Sequence, residues 1–193
     1  MKPIASTVLA ALCVAGCAKL PSTPVDAPLR PGKVVVFDID GTLTPENIDV
    51  LEVRKDVVNV VKAYSDKGYR ILYLTARSLH LQQPIPYWLN RYGFPKGDLQ
   101  TAQTSQDRKD PATFKANMLE NYKKVGWKIA FAYGDSTTDF QAYERAGIAK
   151  EHVFALLREN DKQCQPGVYS ICLKGYTEHL PFVETVASVK SSH

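Results

Sequence analysis

The sequence has no apolar run long enough to cross a bilayer. Its first such stretch, Ile4 to Gly16, falls short of the roughly 18 residues a spanning helix needs. Internal repeats and low-complexity tracts are missing too. Charge is nearly balanced, with 24 Lys and Arg against 20 Asp and Glu. The basic residues fall in short clusters such as "DRKD" and "YKK", never in a tract. Nothing therefore points to nucleic acid as a partner. Histidine and cysteine are scarce, at four each. No Cys/His set at tetrahedral-site spacing can be drawn, which argues against a structural zinc site.

What is present at the amino end is an address. "MKPIASTVLAALCVAGC" places Lys2 before a short apolar run and then small residues, the layout of a secretory signal. Val14, Ala15, Gly16 and Cys17 look like a bacterial lipobox. That likeness implies cleavage after residue 16 and acylation of Cys17, which would anchor the protein to a membrane. Ala18 follows the cysteine, where family habit favours the outer membrane with the protein facing the periplasm. Residues 17–32 carry four prolines and few large apolar groups, so they read as the lipidated cysteine and an extended, flexible tether. Residues 33–193 then suit one domain. Cys13 leaves with the signal. Cys164 and Cys172, eight residues apart around Pro-Gly, read as a disulfide in an oxidising compartment.

From Lys33 onward, apolar β-branched runs alternate with helical periodicity. "KVVVF" (33–37), "YRILYLTA" (69–76), "KIAFAY" (128–133) and "HVFALL" (152–157) read as strands, with "VYSICL" as a possible edge strand. Helices are expected over 50–66, 79–92 with a break at Pro84 and Pro86, 110–124 and 137–146. Residues 78–114 read as one helix and a loop. This alternation predicts an α/β fold: a doubly wound, mainly parallel, Rossmann-like sheet of about five strands with helices on both faces. Ligands of such sheets bind beyond the carboxyl ends of the strands. Asp38 and Asp40 follow the first strand, Thr75 and Arg77 the second, Asp135 and Asp139 the third clear one, and Lys115 lies on a helix between. Singly, these are caps or solvated groups. Together they gather four carboxylates, a hydroxyl and an ammonium at one rim.

"DIDGT", "LTAR", Lys115 and "GDSTTD" resemble, in order, the four motifs of the haloacid dehalogenase-like phosphohydrolases. "GYRILYLTAR", "GFPKGDL", "FKANML" and "AYGDSTTDFQAYERAGI" narrow the likeness to the lipin-type phosphatidate phosphatase domain. They also look like the related domain of phosphatidylinositol transfer proteins. The lipin pattern carries asparagine where this chain has Asp135; the aspartate is that of the wider superfamily. The resemblance implies a Mg²⁺-dependent phosphomonoesterase. Asp38 would be the nucleophile forming an aspartyl phosphate, and Asp40 the general acid and base. Asp38, the main-chain carbonyl of Asp40, and Asp135 would hold Mg²⁺, with Asp139 either ligating through water or orienting Lys115. Thr75 and Lys115 would hold phosphoryl oxygens, Gly41 and Thr42 would line the phosphate turn, and Arg77 would meet the rest of the substrate.

Neither the gap after Thr42 nor residues 78–114 can house a lid domain, so no large cap is expected. An open rim with a lipid anchor favours phosphatidate or another bulky, membrane-held phosphate. Trp88, Tyr92 and Phe94 read either as interfacial aromatics or, more simply, as cover for the sheet. Two other readings stand beside the enzyme. One is a phosphatidate-binding module without turnover, which would have no need of Asp40. The other is a broad-specificity periplasmic acid phosphatase. Oligomeric state is not legible.

Overall fold

A computed structural model of the chain describes residues 19–45 and 52–189. The expected signal segment 1–16, the lipidation site Cys17, and Leu51 with the start of the helix expected from residue 50 lie outside the described residues.

Six strands form one sheet: β1 (Gly32–Asp38), β2 (Arg70–Thr75), β3 (Asp98–Thr101), β4 (Trp127–Gly134), β5 (Val153–Leu156) and β6 (Ile171–Leu173). Their order is β3-β2-β1-β4-β5-β6, and every neighbouring pair is parallel. The chain winds outward from β1 to β3, then returns to the other side of β1 with β4. The direction therefore reverses between β1 and β4, where a crevice opens beyond the strand ends.

Alternate side chains of each strand feed two separate cores. Val35, Phe37, Ile71, Tyr73 and Tyr133 face one way, against α1 (Val57–Asp66), α3 (Ile85–Arg91) and α7 (Leu180–Thr185). Val34, Val36, Leu72, Leu74 and Ala132 face the other, against α5 (Pro111–Lys124) and α6 (Thr137–Arg145). Continuous apolar runs such as "VVVF" are what a strand covered on both faces requires.

Two local outcomes differ from the sequence reading. The helix expected from residue 50 begins only at Val57, because Asp56 adopts a left-handed backbone (φ 61°) that cannot continue a helix upstream. Residues 78–114 hold more than one helix and a loop. Pro84 separates α2 (Leu79–Gln82) from α3, and then come β3 and α4 (Ser105–Lys109). β3 was hidden because three of its four residues, in DLQT, are polar. Its Asp98 is buried against Arg70 at 2.5 and 2.6 Å and the Tyr122 hydroxyl at 2.6 Å. Trp88 and Phe94 are core residues, 4% and 7% exposed, so they cover the sheet.

Residues 20–26 are extended and lie along β3. The Thr23 amide donates to the Leu99 carbonyl (2.9 Å) and the Leu99 amide to the Thr23 hydroxyl (2.9 Å). Thr101 donates its amide to the Ser22 hydroxyl at 3.1 Å. Trp127 donates its indole N–H to the Asp26 carbonyl at 2.7 Å. At the opposite edge a disulfide joins Cys164 to Cys172 of β6.

Candidate active site

The rim at the β1/β4 crevice gathers the residues that the motifs singled out. A cavity of about 230 Å³ is lined by Asp38, Asp40, Arg77, Lys115, Asp135 and Arg158, among others. β1 delivers Asp38 as its last residue. Gly41 then turns the chain with φ 73°, a conformation that glycine adopts without strain. The turn is pinned from behind. Arg54 donates to the carbonyls of Gly41 (2.7 Å), Thr44 (3.1 Å) and Leu157 (2.9 Å). The Gly41 amide is itself engaged by the Thr44 hydroxyl at 3.0 Å. Thr42 is buried, and its hydroxyl has no partner among the described residues.

The two aspartates of "DID" have separate surroundings. Asp38 takes the Lys115 ammonium on Oδ1 at 2.5 Å, and the same ammonium lies 2.5 Å from Asp139 Oδ1. Asp40 points away from that cluster. Its Oδ2 accepts from the Thr75 hydroxyl (2.9 Å), and its Oδ1 accepts from Arg77 Nε (2.9 Å) and Nη2 (2.6 Å). Thr75 and Arg77, expected to meet phosphate and the rest of the substrate, are thus both turned to Asp40. Arg77 is only 8% exposed.

Asp139 sits in the first turn of α6, where it forms a reciprocal cap with Ser136. Its Oδ2 accepts from the Ser136 hydroxyl (2.7 Å) and amide (3.1 Å). Gly134 permits this close approach: a Cβ there would stand 2.6 Å from that of Asp139. Asp135 takes Arg158 Nε on Oδ2 at 2.6 Å. Arg158 escaped the sequence reading, although it stands two residues beyond β5. The rule of inspecting each strand end would have found it.

Charge in this cluster is unbalanced. Burial, then the nearby Asp139, push the Asp38 carboxyl well above the ordinary carboxylate range, against the pull of Lys115. Burial and Asp139 likewise raise Asp135 to about 6, opposed by Arg158. Burial disfavours the Lys115 ammonium, but Asp139 and Asp38 outweigh it and its pKa is raised. One oxygen from each of Asp38, Asp135 and Asp139 can be chosen so that all lie within 4.8 Å of one another. Asp38 Oδ2 and Asp135 Oδ1 accept no hydrogen bond among the described residues. Hard oxygen donors carrying uncompensated negative charge are what Mg²⁺ requires, so these residues fit that ion. The oxygens of Asp139 also meet Lys115 and Ser136, so it can orient Lys115 as well as stand as the third acid of this group. Asp40 could contribute only its main-chain carbonyl.

Comparison with known proteins fits this layout. Residues 35–157 match the family model described as PITM 1-3, LNS2 domain. The chain is 33% identical over 158 residues to membrane-associated phosphatidylinositol transfer protein 3 of Homo sapiens, covering 78% of this chain. It is 30% identical to protein retinal degeneration B of Drosophila melanogaster, covering 79% of this chain. It spans only 15% and 12% of the length of these two relatives. In fold it is similar to a protein described as a HAD-like phosphatase from Mesorhizobium loti, with a TM-score of 0.56 at 16% identity over 86% of this chain and 92% of that one. D,D-heptose 1,7-bisphosphate phosphatase from Burkholderia thailandensis is also similar, with a TM-score of 0.50 at 15% identity over 80% and 99% of the two chains.

Proposed function

Because this chain belongs to the LNS2 domain family of the phosphatidylinositol transfer proteins and has a haloacid dehalogenase-like fold, we propose that it is a Mg²⁺-dependent phosphomonoesterase. Its proposed substrate is phosphatidate or a comparable membrane-held phosphate. The observation that carries this reading is the split between Asp38 and Asp40. One lies in the acidic cluster beside Lys115, the other in a cradle of Thr75 and Arg77. Binding a phosphate needs only the first; cleaving it needs both.

In this reading Asp38 and Asp135 would hold Mg²⁺, with the main-chain carbonyl of Asp40. When bound, the ion would neutralise charge so that a carboxylate can approach an anionic phosphate. Asp38 attacks phosphorus with one carboxylate oxygen, the ester P–O bond breaks, and an aspartyl phosphate forms. Asp40 gives its proton to the departing alkoxide. It then takes a proton from the water that attacks phosphorus, releasing phosphate and restoring Asp38. The proton travels on Oδ2, since the guanidinium on Oδ1 is a permanent donor. Lys115 screens both the Asp38 carboxylate and the incoming phosphoryl oxygens. A second cavity of about 430 Å³ adjoins the first across Arg158, with Lys55 and Lys174 in its wall. It gives room for the rest of a bulky substrate. Acylated Cys17 would anchor the protein to a bacterial membrane, facing the periplasm and in the outer membrane by its Ala18.

The relatives' names favour a second reading, a lipid-binding module without turnover. One assay separates the readings. The full chain, solubilised in detergent, is given phosphatidate in mixed micelles or a soluble monoester, with Mg²⁺ or with chelator, and released phosphate is measured. Mg²⁺-dependent release from phosphatidate, abolished in Asp38→Asn, is expected. No release from any substrate would sink the enzyme reading. Release from soluble esters alone would leave a broad-specificity phosphatase.

A further inference from the structure

The extended segment 20–26 has a direction. Asp26 is held by Trp127, the first residue of β4, at the amino end of the sheet. Going back toward the amino terminus, Thr23 pairs with Leu99 and Ser22 with Thr101. The Leu20 carbonyl then accepts from the Thr101 hydroxyl (3.2 Å) and from Gln103 Nε2 (3.0 Å). Thr101 is the last residue of β3. The segment therefore runs antiparallel to β3 and delivers Leu20 to the carboxyl ends of the strands, the same end that carries Asp38, Asp40 and Asp135.

Cys17 is three residues from Leu20 in the sequence. Three extended residues reach at most about 10 Å, far too little to return to the opposite end of the sheet. We infer that segment 20–26 orients the protein on its membrane: with Cys17 acylated, the catalytic rim faces the lipid headgroups, and the amino ends of the strands face away. The inference rests on the acylation of Cys17 proposed above, but not on turnover. Other features of this end suit a lipid surface. Leu81, on α2 just beyond β2, is 40% exposed. Lys19, next to Leu20 in the chain, and Lys109, the last residue of α4, are exposed, and cations there would draw anionic headgroups. A phosphate in the same leaflet would then reach the rim without leaving the bilayer.

The test uses the full, acylated chain in phosphatidylcholine vesicles containing phosphatidate and a nitroxide-headgroup lipid. Leu81→Cys at the rim and Leu29→Cys at the far end each supply one free thiol for a fluorophore. Leu29 is fully exposed, and Cys164 and Cys172 are tied to each other. Quenching is expected to be several-fold stronger at residue 81 than at residue 29. Inserting about 20 Gly and Ser residues between Lys19 and Leu20, a flexible coil, should erase the difference. Equal quenching in the parent chain, stronger quenching at residue 29, or no vesicle attachment through Cys17 would overturn the inference. None of these outcomes depends on phosphate release, so an inactive protein that is quenched at residue 81 would sink the enzyme reading alone.

Discussion

Arg77 grips a single oxygen of Asp40 with two nitrogens, Nε at 2.9 Å and Nη2 at 2.6 Å. Both groups are largely withdrawn from water, and Thr75 holds the other oxygen. A planar fork of this kind fixes the direction of a carboxylate in a way that the single ammonium of lysine does not. Arg77→Lys should lower kcat by about 10²-fold, the cost of small misplacement, with little change in KM. Combined with Asp40→Asn it should add almost nothing, since the two act as a unit. Steady-state kinetics on a soluble monoester would decide; additive losses would argue that Arg77 meets the substrate instead.

Among the described residues, Lys115 is the one buried ammonium beside the carboxylates of the cluster. Lys115→Met should destabilise the metal-free protein by about 3–5 kcal/mol, because it strands buried charge. Mg²⁺ should recover part of that loss. The recovery carries a pH signature. Asp135 titrates near 6 in the fold against an ordinary 3.8. A raised carboxyl stabilises the fold fully below its unfolded value, and that stability is lost as pH rises through about 6. The rise in Tm on adding Mg²⁺ should accordingly be small at pH 5 and larger at pH 7, since metal and proton compete. Thermal melts with and without Mg²⁺ at both pH values test this, and a pH-independent shift would count against carboxylate ligation.

His179 is buried against Tyr133, whose hydroxyl lies 2.8 Å from Nε2 and 2.7 Å from the Tyr64 hydroxyl. Burial lowers its pKa from 6.5 to about 4. Between those values the unfolded chain binds a proton that the folded chain refuses. The associated stability is present above about pH 6.5 and lost as pH falls toward 4. At most it is on the order of 3 kcal/mol. In His179→Gln the fall in urea midpoint between pH 7 and pH 5 should be visibly shallower than in the parent. Parallel curves would remove His179 from the account.

Gly134→Ala places a Cβ 2.6 Å from that of Asp139. Asp139 is tied to Lys115 and Ser136 and cannot simply swing aside. The expected cost is about 1–3 kcal/mol, with weaker Mg²⁺ binding as the cluster spreads. Denaturant titration and calorimetry with Mg²⁺ would read the two effects separately; a neutral substitution would mean that α6 shifts freely.

What could be read from the sequence followed what was local. "VVVFDID" states both a strand buried on two faces and the acids at its end, and Asp110-Pro111 announces α5 by its cap. The partners of those residues were not local. Asp98 is tolerable in a strand only because Arg70, 28 residues away, pairs its charge and the Tyr122 hydroxyl, 24 residues away, donates to it. Nothing in "LTARS" tells whether Arg77 faces a substrate or Asp40; that depends on how the chain turns after β2. Asp139 looked like a ligand or an orienting group. Its two oxygens became assignable only once Lys115 and Ser136 were seen on them.

The segment along β3 also acts as a guard. An outermost strand offers its main-chain groups to any neighbouring chain able to pair with them. Here Ser22 and Thr23 take up those groups at Leu99 and Thr101. Pro21 and Pro24 in the same segment carry no N–H with which to recruit another strand. A truncated protein begun at Gly32 would keep every residue of the active site yet bare this flank. Such a form should self-associate through β3, and its loss of solubility would easily be mistaken for a defect in the catalytic domain.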